Sequence, residues 1–413
     1  MKMNPPLILG LVDPVHSGPK RFIPELERRK IDYRVIESGI VAGVLEFAGN
    51  SGRFIRAAPS VELMAEELRR LGVTHLIGCI EPSLAYAEQL CAQMGLPSNG
   101  LRLSEVRLNK ALMTEALRKA DIRVPRQFET AQLNDLLAWV DAHKCPVVLK
   151  PLNSGGTDNV YLCHSIAEVE ENFHKILHAK NLAGKTNTSV LTQEYIDGVE
   201  YIVDSVSSGG AHSAVGLFEY QKGTRNGRAF IYEKIIFLKS DHPLSKKLRE
   251  FAYRVLDELE IRNGASHMEV KINSRDEVVF IEVGARTSGT SVPRLTQLAR
   301  ADGKGPIEYV LDAIQGLPLP SDNYATGRGA VCVCIISERE GYLKSFRNLE
   351  FIQALRSFAF LELSVKPGQK VSRTIDLATL AGYVALVHAE PAILADDQRR
   401  LNELLGQGVL DLE

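Results

Sequence analysis

HMEVKINSRDEVVFIEVGAR, residues 267–286, decides the fold, and the decision turns on a short polar turn between two apolar-patterned runs. If Arg275 and Asp276 form a two-residue loop, the flanking strands pair in a register that sets Glu269 opposite Glu282. Parity then places Met268, Val270, Ile272, Val279, Ile281 and Val283 on one apolar face. His267, Glu269, Lys271, Asn273 and Glu282 fall on the other. Like charges directly across a strand pair repel, so the arrangement calls for a cation between the carboxylates or a partner such as Lys271. Hard oxygen ligands point to Mg²⁺, and Mg²⁺ points to bound phosphates. A solvent-facing hairpin carrying an ordinary Glu/Lys pair is the competing reading of the same residues.

Upstream, VVLKPLNSGGTDNV (147–160) reads as a strand that ends in Lys150 and runs into Ser154, Gly155, Gly156 and Thr157. Two glycines let the backbone approach a ligand closely, and successive N–H groups with a hydroxyl can cradle phosphate oxygens beside the lysine. A Gly-Gly hairpin turn fits the stretch too. Neither GxxxxGK[ST] nor GxGxxG occurs. In TQEYIDGVEYIVDSV (192–206) a strand delivers Glu194, a turn follows at Asp197-Gly198, and Glu200 opens the next strand. A carboxylate beside extended backbone can take an exocyclic amine of a base, and a second one can hold ribose hydroxyls. Any exposed hairpin can also carry two glutamates.

The rest of the chain frames these segments. Residues 1–103 alternate strand and helix signals: an apolar run at 7–12, a Gly/Pro-rich loop, a charged helix, strands near 33–36 and 73–79, and helices at 60–71 and 84–94. This βαβ pattern implies a parallel sheet, with ligand loops after its strands at 13–18 and 80–83. From 104 to 316 the pattern is α+β. Helices are expected near 105–119 and 131–143, the second capped by Thr130, then strands at 146–150, 160–163, 189–194, 199–207, 211–221 and 228–239. A Ser165/Glu168 capping box opens the helix between them, and a helix at 244–259 precedes the hairpin. Residues 317–413 read as a smaller, β-rich accessory domain ending in a charged helix.

With 413 residues, 45% hydrophobic and 24% charged, the chain has the composition of a globular protein of two or three domains. A net charge of −2 argues against a nucleic-acid partner, and no run approaches the ~20 apolar residues of a membrane helix. The N-terminal apolar run is too short for a secretory signal. The six cysteines make no metal spacing. They read as reduced core residues in a cytoplasmic protein.

Taken in this order, the three motifs resemble the ATP-grasp superfamily from the N-terminus to about residue 316. The resemblance implies the nucleotide-phosphate lysines at Lys110 and Lys150, with a flexible glycine loop from Ser154 through Gly155 and Gly156 to Thr157. It implies an adenine hinge at Glu194, Tyr195 and Ile196, a ribose carboxylate at Glu200, and the metal pair at Glu269 and Glu282. Arg286 then faces the transferred phosphate. Many relatives carry Asn where this chain has Gly284, two residues after Glu282. EVGARTSGT (282–290) and the 367–390 segment are similar to the L-amino acid ligases and to amide ligases of peptide antibiotic pathways. The implied reaction joins an amino acid or small carboxylic acid to an amine through an acylphosphate, using ATP and Mg²⁺ or Mn²⁺, in a homodimer. His267, on the metal face, is a candidate for orienting substrate or assisting proton removal. Glu81 is a candidate for a substrate ammonium, and Ser288 and Gly289 for substrate contacts. A purine-type carboxylase or formyl ligase, a small-molecule kinase and a non-catalytic ATP-binding regulator are the alternatives.

Overall fold

The computed structural model describes residues 6–15, 21–41, 44, 52–181, 184–322, 325 and 327–413. The N-terminal α/β unit is a four-stranded parallel sheet in the order Phe54–Ile55, Asp32–Ile36, Ile8–Val12, His75–Gly78. Ser60 caps the helix Val61–Arg70 by accepting from Leu63 N–H, and Gly95 ends Leu84–Met94 in the left-handed region at φ 67°. Of the expected ligand loops, 80–83 forms a short 3₁₀ turn that carries Glu81. Residues 16–18 of the other lie outside the described residues, and its Asp13 is buried, accepting from Ser38 N and Oγ.

The central part has two sheets that face one another. A four-stranded antiparallel sheet, in the order Gln127–Thr130, Val190–Glu194, Val147–Lys150, Tyr161–Cys163, is backed by the helices Leu133–His143 and Ile166–Ile176. Thr130 therefore closes a strand instead of capping a helix; the helix begins at Leu133, and Thr130 Oγ1 only accepts from Gln132 N–H. The helix expected from 105 begins at Lys110, capped by Asn109, whose side chain accepts from Ala111 and Leu112 N–H. The opposing antiparallel sheet has eight strands. Its order is Val278–Gly284, Gly264–Ile272, Val199–Ser208, Ala211–Arg225, Arg228–Leu238, Gly329–Ile335, Gly382–His388, Phe358–Leu363. Its last three strands come from beyond residue 317, so the C-terminal segment extends the same sheet. Among the described residues no helix is long and apolar enough to cross a membrane.

The 267–286 hairpin pairs Glu269 with Glu282, as the spacing predicts, but by a different route. Asn273 N–H donates to Glu277 O, so the loop holds three residues, 274–276, with Asp276 at φ 61°. That turn shifts the register by one: Ile272 pairs with Val278, Lys271 with Val279 and Val270 with Phe280. A β-bulge before Glu282 shifts it back. The bulge also changes which side chains face the core. Val278 and Phe280, instead of Val279 and Ile281, join Met268, Val270 and Val283 in the cluster under the sheet, and Ile281 turns to the cleft beside Glu282. Phe280 N–H points off the sheet and donates to Arg123 O at 3.0 Å, which covers this edge strand.

Candidate active site

The cleft between the two sheets is lined by Lys110, Lys150, residues 154–157, Glu194, Tyr195, Ile196, Glu200, His267, Glu269, Glu282, Arg286 and Gly289. Each arrives there from a different part of the fold. Lys150 ends a strand of the smaller sheet, Lys110 starts a helix, and the two metal-face carboxylates meet across the bulged hairpin.

Charge inside the cleft is dense. Lys110 Nζ lies 3.0 Å from Glu282 Oε1 and also donates to Ser154 O. Burial pulls its pKa down, but Glu282 and Glu81 outweigh burial and hold it above the ordinary lysine value. Lys150 is instead lowered to about 8 by burial and by Lys110. Glu269 is pushed up to about 7, first by burial and then by Glu200 and Glu282, against the pull of Lys222. A carboxylate so raised, facing a second one, marks a place where positive charge is in deficit.

Lys271 does not supply that charge. Its ammonium donates to Ile196 O at 3.0 Å and lies 5.1 Å from the Tyr195 ring centroid and 5.6 Å from that of Phe230. Lys222, which sequence reasoning passed over, is the buried cation at the sheet floor: its Nζ lies 2.5 Å from Glu200 Oε1 and 4.2 Å from the Tyr232 ring centroid. Asp204 is a second missed residue. It is 1% exposed, receives His267 Nδ1 at 2.6 Å and accepts from Ser288 Oγ at 2.9 Å. The alternation that puts Glu200 on the cleft face puts Asp204 there too, which was the available signal. Burial works against protonation of His267, and Asp204 more than offsets it, so its pKa is raised. Its Nε2 lies 3.8 Å from Glu269 Oε1.

Other expected residues sit differently. Both oxygens of Glu194 are engaged, with Arg126 Nε at 2.6 Å and Arg123 at 3.1 Å, so its carboxylate is tied at the rim. The Tyr195 N–H donates to Pro146 O. Ser288 is 1% exposed and does not line the cleft; it braces Asp204 from behind. Glu81 pairs with Arg286 at 2.8 Å, linking the N-terminal unit to the segment after the hairpin. Its pKa is lowered, burial being overcome by Arg286 and Lys110. A Cβ built on Gly284 would lie 3.4 Å from Arg286 Cζ, so the arginine side chain packs where a longer residue would reach. The glycine loop is held at three points: Ser154 Oγ donates to Asp158 at 2.6 Å, Ser154 O accepts from Lys110, and Gly156 O accepts from Leu377 N–H at 3.0 Å.

The family description "ATP-grasp domain" matches residues 143–294, the span from the lysine strand through the hairpin to Arg286. The chain carries an ATP-grasp domain. Around that domain the similarity continues. Dapdiamide A synthase of Enterobacter agglomerans is 28% identical over 404 residues, covering 95% of this chain and 94% of that protein. The L-arginine-specific L-amino acid ligase of Bacillus subtilis is 22% identical over 326 residues, 77% of each chain. The crystal structure of an L-amino acid ligase from Bacillus licheniformis shares the fold, with a TM-score of 0.78, 18% identity, and coverage of 97% of this chain and 98% of that one. ATP-grasp topology accounts for the two opposed sheets and for the cleft between them.

The two opposed glutamates suit a hard divalent cation. They are oxygen donors on one face, and Glu269 carries the strain of unneutralised charge. Among the described residues no group of three or more His, Cys, Asp or Glu side chains is placed to hold an ion by itself, so remaining coordination would come from phosphates and water.

Proposed function

We propose that the protein is an ATP-dependent carboxylate–amine ligase that joins an amino acid or small carboxylic acid to the amine of an amino acid, releasing ADP and phosphate. The observation that carries this reading is the Glu269/Glu282 pair in one cleft with Lys110, Lys150, the 154–157 loop and Arg286. The similarity to a dapdiamide synthase along nearly the whole chain supports the same class.

A free carboxylate is a poor electrophile with a poor leaving group, and transfer of the γ-phosphoryl group to it cures both. Glu269 and Glu282 would hold Mg²⁺, which when bound neutralises charge on the phosphates. Lys110 and Lys150 add fixed positive charge from two sides, and the partly depressed Lys150 fits a site where cations crowd. The Tyr195 carbonyl and Ile196 N–H read the adenine edge, while Glu194 with Arg123 and Arg126 shapes the rim. Glu200, fixed by Lys222, receives the ribose.

Arg286 faces the acylphosphate and stabilises the oxyanion formed when the amine attacks, an effect commonly worth about 3 kcal/mol per donor. His267, steered by Asp204, presents Nε2 to the same space and receives or relays the proton of the incoming amine. The 154–157 loop excludes water from the acylphosphate. The test is a panel of paired amino acids and short acids assayed for phosphate release, with products analysed by mass. A condensed product formed with stoichiometric ADP and phosphate is expected. A phosphorylated product without condensation would instead make the protein a kinase, and dependence on bicarbonate or formate would make it a carboxylase or formyl ligase.

A further inference from the structure

One end of the cleft is not accounted for by nucleotide, metal or phosphate. Along the floor of the eight-stranded sheet, Glu200 pairs with Tyr220, Tyr220 with Ile235, and Ile235 with Cys332. These side chains share one face, and at about 4.8 Å per strand Cys332 lies roughly 14 Å from Glu200. Over that distance the lining changes from charged to apolar. Ile235, Cys332, Cys334 and Leu380 are each at most 6% exposed, yet all line the cleft, and Leu377 and Tyr383 close it from the C-terminal segment. The thiols are neutral: burial pushes Cys332 up to about 12 and Cys334 well above the usual thiol value. Among the described residues Ile235, Cys332, Cys334, Leu377, Leu380 and Tyr383 put no charge into this end, and the Lys222–Glu200 pair stands at its Tyr220 border. Two carboxylates near it are already paired: Glu362 accepts from Tyr383 Oη at 2.7 Å and meets Arg21 at 2.5 Å, and Glu233 meets Arg225 at 2.7 Å. Arg21 precedes the helix Phe22–Arg29 of the N-terminal unit.

We infer that this chamber, floored by Tyr220, Ile235, Cys332, Cys334 and Tyr383 and lined further by Leu380, receives an uncharged, bulky apolar side chain of the carboxylate substrate. The inference rests on the ligase reading. It assigns the chamber to the acid because the acid must share the cavity of the nucleotide it attacks, and this apolar end is continuous with that cavity. A second cavity opens on the far side of Arg286, bordered by His75, Glu88 and Ser207, and is separate from it. A charged side chain in the chamber would lose its hydration against thiols and aliphatic groups with no partner in return.

The experiment supplies MgATP, hydroxylamine and one acid at a time, so that any acylphosphate is trapped as a hydroxamate without need of the amine. Acids with branched aliphatic, thioether or aromatic side chains should give hydroxamate, and acidic or basic ones should not. Leu380→Phe should lower the ratio of kcat/KM for large over small acids by about tenfold or more, since one or two methylenes of pocket space carry discrimination of that order. Ile235→Ala should move the ratio the other way. Binding of MgATP, followed by thermal shift, reports that both variants fold. Charged acids trapped as well as apolar ones, or both variants changing all acids alike, would overturn the chamber and leave the ligase reading standing. MgATP binding with no hydroxamate from any acid would overturn both.

Discussion

At Lys222 three demands meet: the ammonium neutralises Glu200, lowers the charge felt by Glu269, and lies over the Tyr232 ring, all in a buried floor. Both partners of the pair are about nine-tenths buried, so removing one leaves the other uncompensated. Lys222→Met is expected to cost about 3–5 kcal/mol in urea unfolding and to raise KM for ATP. A loss below about 1 kcal/mol, the value of an exposed pair, would show that the floor is wetter than the geometry states. The residues that carry motif spacing, Lys150 with the glycine loop and Glu269 with Glu282, were legible in the sequence because local order placed them. Lys222 was not, because its meaning comes from Glu200, 22 positions away, and for Asp204 alternation marked the face but not its partner His267, 63 positions away. The contacts of Glu194 were not legible either, because nothing local shows that Arg123 and Arg126 fold back onto its carboxylate.

Two elements set the geometry that those residues depend on. The bulge that pushes Ile281 out restores the Glu269/Glu282 register lost at the three-residue turn. From sequence the simplest turn gave the correct pair and the wrong core parity beyond it, since two opposite one-residue shifts cancel at Glu282 and nowhere between. The second element is the turn at Gly198, between residues 194–196 and Glu200. Its φ is 91°, and a Cβ there would meet Ile272 O at 2.0 Å, so the turn presses its backbone directly onto the end of the strand Gly264–Ile272. Gly198→Ala is expected to lose about 1–3 kcal/mol of stability and to weaken ATP binding, since Glu200 and the hinge would both be displaced. An unchanged unfolding midpoint together with an unchanged KM for ATP would contradict the close approach.

Across the whole molecule the cleft is assembled from all three parts of the chain. The parallel sheet contributes Glu81 to Arg286, and the C-terminal segment contributes three strands of the large sheet and the Leu377 contact to the glycine loop. The succession from parallel sheet to α+β was readable from periodicity, and the ATP-grasp character from the family resemblance that the three motifs carry. The continuity of the large sheet past residue 317 was not, because the pairing of Arg228–Leu238 with Gly329–Ile335 spans about a hundred residues and leaves no local mark. Glu81→Gln tests the coupling between parts. A charge-assisted hydrogen bond is worth about 1.5–3 kcal/mol. Loosening Arg286 should therefore lower kcat by about tenfold or more. The Kd for MgATP should stay unchanged, and an equal rise in that Kd would place Glu81 in nucleotide binding instead. The central claim, that the opposed glutamates form the MgATP site of a ligase, is tested most directly by ATP turnover of Glu282→Ala with the accepted substrate pair. A folded protein that releases no phosphate is the expected result, and wild-type turnover in that variant would contradict the account.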